Sequence, residues 1–246
     1  MGKHLKWGYW LILLAVLVSL CSFACAEDVS LRGYDKKDGY VYLHMGEIEQ
    51  TKEGEIQPIV WRVLSVENGR AHICSEYILG AGRIHHDDKE WIATNADFSK
   101  TELWAFLNGE FADRCFTEEE LSLIAEYENL GKFYLLTGDD VKNKSIGFGT
   151  DKARKAWGTE YAKANGLFVY SLKHGKHSPY WTMSQSTAAP YGARCTKAKG
   201  NIGYIRVVVM DEGWRPVCRL DTTKLVITGG AGTLEDPYKI AGKKAE

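Results

Sequence analysis

Two runs rich in β-branched and aromatic residues, Gln57 to Glu67 and Arg70 to Ser75, flank the dipeptide Asn68-Gly69. Asn-Gly tolerates the positive φ angles of a type I′ turn, so the whole stretch reads as a β-hairpin. Alternation places Ile59, Trp61 and Val63 on one face of the first strand, with Val60, Arg62 and Leu64 on the other. A two-stranded hairpin is marginal in water, so the rest of the chain must cover it.

The chain has the means to do so. Its 246 residues are 45% hydrophobic and 12% aromatic with a formal net charge of −1, the profile of a packed globular protein. No basic stripe is present, so nucleic acid is not an expected partner. Lys3 and Lys6, the apolar run Tyr9 to Leu20 and the small-residue site Ala24-Cys25-Ala26 form a signal peptide pattern, with cleavage expected after Ala26 and the mature chain beginning at Glu27. The apolar run falls short of the roughly 20 residues that span a bilayer, so contact with a membrane is expected only through this segment if it stays uncleaved. Lipidation at Cys25 is the lesser alternative, because Ser22-Phe23-Ala24 lacks the large aliphatic residue expected three positions upstream. The organisation is therefore a signal peptide over 1–26, a linker over 27–39, one globular domain over 40–228 and a C-terminal tail over 229–246. The expected location is secreted or cell surface.

Within the domain, Tyr40 to Met45 is a predicted strand ahead of the hairpin. Ser99 and Glu102 form a capping box opening a helix that carries Leu103, Trp104, Leu107 and Phe111, stopped by Asn108-Gly109; Thr117 and Glu120 form a second. Lys132 to Thr137 reads as a strand and Asp151 to Ala164 as a helix ended by Asn165-Gly166. Further strands are predicted over Leu167–Leu172, Tyr180–Met183, Tyr204–Met210, Arg215–Leu220 and Lys224–Thr228. Strands at both ends with helices between them give an α+β class, antiparallel sheets and hairpins with a few short helices in the middle.

Met45-Gly46-Glu47-Ile48-Glu49-Gln50, Pro58 to Leu64, Ser75 to Leu79, Leu103 to Asn108 and Trp214-Arg215-Pro216-Val217, taken as an ordered set, resemble the bacterial domain-of-unknown-function family 6273. The resemblance covers roughly Tyr40 to Asp221 and implies an exported protein or surface module of bacteria, with no activity attached. The terminal run Gly229 to Ile240 is similar to a tail common on such proteins. The pattern also resembles, remotely, the formylglycine-generating-enzyme and C-type-lectin architectures, through Tyr180-Trp181-Thr182-Met183-Ser184 and Gly213-Trp214-Arg215-Pro216. This chain reads Met183-Ser184-Gln185-Ser186 where many family members have Arg-Ser-Pro, so no catalytic residue is carried over.

Loss of the signal leaves Cys74, Cys115, Cys195 and Cys218, which allow three pairings. The leading expectation is buried thiols packed as small hydrophobes, Cys74 and Cys218 standing where an aliphatic residue would fit; export also permits disulfides, and among the pairings Cys195–Cys218 is the favoured bridge. A nucleophilic cysteine beside a base such as His174 lacks any local motif. His85-His86-Asp87-Asp88 contains metal-ligand residue types, but four consecutive side chains diverge, so the stretch is expected to be a solvated polar loop and no metal is assigned. His174 and His177 sit three apart with Gly175 and two lysines around them, and Asp139-Asp140 opens a turn; neither is assigned a metal. Trp157, Trp181 and Trp214 could offer flat platforms to a sugar ring or a partner, and the binding residues expected are Trp181, Trp214 and Arg215.

These readings lead to an exported, noncatalytic domain that binds a glycan or a protein at the cell surface, with no cofactor. The rivals are a secreted enzyme whose site assembles from separate loops, and a purely structural surface module. A concave site lined by convergent titratable groups separates the first two from the third.

Overall fold

The computed structural model describes residues 31–170 and 176–243. The signal peptide, its cleavage site and Cys25 lie outside the described residues. Among the described residues the strands are β1 (Val41–Glu49), β2 (Ile56–Glu67), β3 (Arg70–Ser75), β4 (Gly80–Ala81), β5 (Ile124–Ala125), β6 (Tyr180–Gln185), β7 (Gly192–Thr196), β8 (Ile202–Arg206), β9 (Gly213–Trp214), β10 (Val217–Asp221), β11 (Leu225–Gly229) and β12 (Tyr238–Gly242). The α-helices are α1 (Asp88–Ala93), α2 (Glu102–Asn108), α3 (Glu110–Cys115), α4 (Glu118–Leu123), α5 (Asp151–Arg154) and α6 (Glu160–Ala164). The fold is α+β. One sheet runs β11-β12-β1-β2-β3-β10-β5 and a second runs β4-β9-β6-β7-β8, antiparallel except for the β1–β12 and β6–β9 pairs.

The β2–β3 hairpin lies at the centre of the larger sheet, and its turn has φ of 49° at Asn68 and 72° at Gly69. Both faces of β2 are covered. Trp61 is fully buried and meets Phe116 and Phe133, with ring centroids 6.3 and 6.5 Å away. On the other face Arg62 lies over the Tyr40 ring at 4.5 Å and near Phe148 at 5.9 Å. A strand buried on both sides needs apolar residues at successive positions, which is why Trp61, Val63 and Leu64 are all in the core.

The helices are shorter than their periodicity predicts. Ser99 belongs to a 3₁₀ turn (Phe98–Lys100), and Thr101 caps α2 by accepting from the Trp104 N–H. Gly109 ends α2, so Phe111 reaches the same core from α3. The Thr117–Glu120 capping box is present at the start of α4. The expected helix over Asp151 to Ala164 divides into α5 and α6. The intervening Ala156 bridges Ser178, and Gly158 bridges Ile78, contacts that a continuous helix could not make. Tyr134 makes the sole bridge within Lys132 to Thr137, pairing with Val217, and β7 went unpredicted because Gly192-Ala193 carries little strand propensity.

Both flanking segments join the body. Leu31 is buried, and the Tyr34 N–H donates to the Leu64 carbonyl at 3.0 Å, so the described part of the 27–39 linker packs on β2. The 229–246 tail supplies β12, which pairs in parallel with β1 through Leu43 and Tyr238. Cys74, Cys115, Cys195 and Cys218 are buried free thiols. Cys195 stands in β7 of the small sheet and Cys218 in β10 of the large one, and the alternative Cys195–Cys218 bridge is not made. Burial pushes the Cys115 thiol up to about 11 and raises the other three, so all are held neutral and chemically quiet.

Candidate functional site

The sequence-derived binding residues are in the interior. Trp181 is 1% exposed and donates from Nε1 to the Gly82 carbonyl at 2.7 Å. Trp214 packs edge-on against Phe106 and Phe111 and lies so close to Gly80 that a Cβ there would come within 2.4 Å of its ring. Arg215 donates to the Ser75 carbonyl from Nε and Nη2 and to the Glu76 carbonyl from Nη2, tying the β9–β10 connection to the end of β3. These three side chains hold the two sheets' strands in place instead of forming an exposed platform. Trp157 is exposed and its ring lies tilted against His177, with centroids 4.3 Å apart.

His85-His86-Asp87-Asp88 is not the solvated loop expected of it. Asp87 caps α1 by accepting from the Lys89 and Glu90 N–H groups, and Asp88 pairs with Arg206 of β8. His85 is buried, and its Nδ1 accepts from the Asp87 N–H at 3.1 Å. His86 lies between Glu90 at 3.2 Å and Glu102 at 3.1 Å, and Arg83 shares Glu102. His85, His86 and Glu90 each bring a ligand atom within 4.8 Å of the others. The two imidazoles are nonetheless stacked, with centroids 4.7 Å apart and planes 22° from parallel. A ring nitrogen's lone pair lies in the ring plane, so stacked rings cannot both point at one ion. The arrangement works as a helix cap and ion-pair network.

The stronger site is a cavity of about 380 Å³ beside the β7–β8 hairpin. Four chain segments converge on it: Phe168 and Tyr170; Pro179 before β6; the turn Lys197 to Asn201 with Ile205 of β8; and Asp211-Glu212 before β9. Each wall is pinned by backbone. The Phe168 N–H donates to the Asp211 carbonyl at 2.8 Å, the Gly82 N–H to the Glu212 carbonyl at 3.0 Å, and the Gly213 N–H to the Pro179 carbonyl at 3.1 Å. The turn requires Gly200, whose φ is 89° and whose Cβ would collide with the Asp151 carbonyl. Buried Arg154 holds that turn by donating Nε to the Gly200 carbonyl at 2.7 Å.

No protein-family model matches the chain. No curated protein and no solved structure matches it either.

The chemistry of this cavity therefore has to be read from its own residues. Glu212 is 2% exposed, and its Oε1 has no hydrogen-bond partner. The Lys197 ammonium is 4.0 Å from that oxygen, beyond hydrogen-bond range. Burial pushes the Glu212 carboxyl above its ordinary value, and Lys197 and the adjacent Cys195 thiol pull it back. The Lys199 ammonium sits over the Tyr170 ring at 5.2 Å, and Phe168 is 46% exposed. Spacing could not have exposed this site, because its acid and its aromatics lie on segments separated by β6, β7 and β8. The adjacent Asp211-Glu212 was its sole local trace.

A second cavity, about 540 Å³, lies between β1, β12 and the α3–α4 connection. Two of its charged groups are already mated: Glu120 accepts from the Gly46 N–H at 2.7 Å and from Thr117, and Arg114 pairs with Glu49. That leaves it less to offer a ligand than the cavity at Glu212.

Proposed function

We propose that the protein is an exported, noncatalytic binding domain whose ligand is a glycan, seated in the cavity between Phe168, Tyr170, the Lys197–Asn201 turn and Glu212. The observation that carries this reading is the buried carboxylate oxygen of Glu212, which has only a long 4.0 Å ion pair to Lys197 and no hydrogen bond, in a cavity edged by an exposed aromatic ring. A pyranose presents an apolar C–H face and a rim of hydroxyl donors. Phe168 suits the first and Glu212, Asp211 and Asn201 suit the second. The volume of about 380 Å³ takes one or two sugar rings. Export rests on the signal pattern at residues 1–26, and kinship with domain-of-unknown-function family 6273 on its ordered motifs; both belong to the same proposal. Two reactive groups stand beside Glu212, the Lys197 ammonium at 4.0 Å and the Cys195 thiol, and burial holds that thiol neutral, which favours binding over nucleophilic catalysis.

The test is titration of the mature protein with a panel of neutral and charged oligosaccharides, followed by chemical-shift changes or calorimetry. Binding should map to Phe168 and the Lys197–Asn201 turn, and Phe168→Ala should weaken it at least tenfold without moving the melting temperature. Saccharides that bind equally well to Phe168→Ala, or none that bind at all, would remove the reading.

A further inference from the structure

We propose that the glycan taken by this cavity carries a free amino group, so that the ligand class is an amino sugar whose ammonium docks on Glu212. The inference rests on the glycan-binding reading of the same cavity and narrows it. Glu212 is a buried carboxylate with one oxygen that has a long ion pair to Lys197 but no hydrogen bond, and the partner that best satisfies such a group is a cation that also donates a hydrogen bond.

The protein already places ammonium groups around this spot. Lys197 reaches to 4.0 Å from Glu212 Oε1 but makes no hydrogen bond to it, and its side chain is partly exposed. Lys199 lies over the face of Tyr170, the position that a quaternary or primary ammonium takes in cation–π recognition. Both lysines are on the β7–β8 turn and end in flexible stems; Lys197 is the internal stand-in that a ligand ammonium displaces at Glu212, and Lys199 marks Tyr170 as a face open to a cation. A neutral hydroxyl would hydrogen-bond Glu212 but would leave its charge only partly compensated, whereas an ammonium at about 2.8 Å would do both.

Three trisaccharides decide the matter: one of β-linked glucosamine, its fully N-acetylated counterpart, and one of glucose, each titrated at a pH where the free amines are protonated. The glucosamine trisaccharide should bind at least tenfold more tightly than the other two. Glu212→Gln should abolish that preference while leaving the weaker binding of the neutral sugars in place. Lys197→Met, which keeps the aliphatic stem and removes the ammonium facing Glu212, should tighten the glucosamine ligand severalfold by removing its competitor. Equal or tighter binding of the acetylated or glucose ligand would overturn the amino-sugar inference and leave the glycan reading standing. Unchanged or weaker glucosamine binding by Lys197→Met would overturn it too. No binding of any of the three would overturn both.

Discussion

Arg62 and Glu76 form an ion pair across the β2–β3 hairpin, with Nε 2.6 Å from Oε2 and both side chains only 7% exposed. Arg62 sits opposite Cys74 in the sheet register, two residues before Glu76, and Tyr40 covers the guanidinium at 4.5 Å. The pair is thus enclosed by the very hairpin that the Asn68-Gly69 turn closes.

Removing one partner leaves the other charge buried alone. Glu76→Gln and Glu76→Ala should each destabilise the protein by about 3 to 5 kcal/mol in denaturant unfolding. The double variant Arg62→Met, Glu76→Leu should cost much less than the sum of Arg62→Met and Glu76→Leu measured singly. Additive losses in that cycle would show that the two charges are not coupled.

Trp61 is fully enclosed, and its Nε1 donates to the Met45 carbonyl at 2.8 Å across to β1. Trp61→Ala should lower stability by about 3 to 5 kcal/mol, while Trp61→Phe, which keeps the ring and loses the hydrogen bond, should lose less. A denaturant midpoint shared by the parent and the alanine variant would contradict this packing.

Stability should fall in acid because of His72. This residue faces Arg219 in the sheet and stacks on Tyr134, and its Nε2 has no partner. Burial lowers its pKa from 6.5 to about 4, with Asp140 opposing and Arg219 reinforcing the shift. The unfolded chain therefore takes up this proton first, so stability is full above pH 6.5 and is lost as pH falls toward 4. At about 1.4 kcal/mol per pKa unit, His72 accounts for a loss on the order of 3 kcal/mol. His72→Gln should flatten the curve by that amount in melts between pH 7 and pH 4; curves of identical shape would refute it.

The neighbouring histidines should behave differently from each other. His85→Ala removes a buried ring and the acceptor for the Asp87 N–H, for a loss of about 1 to 2 kcal/mol. His86 is half exposed, and His86→Ala should stay within about 0.5 kcal/mol of the parent. Chelator should leave the melting temperature unchanged; a chelator-sensitive melt that His86→Ala abolishes would establish an ion there and overturn the stacked-ring argument.

The sequence alone was sufficient wherever neighbouring residues decide the structure. Asn68-Gly69 requires its hairpin because few other dipeptides take two positive φ angles, and Thr117 with Glu120 caps α4 through bonds spanning three residues. The α+β class followed from the same local signals. Tertiary structure decided what depends on contacts between distant segments. It placed Trp181, Trp214 and Arg215 inside, because strand periodicity reports that a face is buried or exposed without saying what covers it. It recruited Tyr238 to Gly242 as a strand beside β1, since backbone groups pair irrespective of tail-like composition. It also broke the 151–164 helix at a junction where Ala156 and Gly158 make isolated bridges to the distant residues Ser178 and Ile78. Glu212 is the clearest case: a charged residue becomes a site only when burial takes its carboxylate from water and the fold brings Phe168, Tyr170 and the Lys197–Asn201 turn around it.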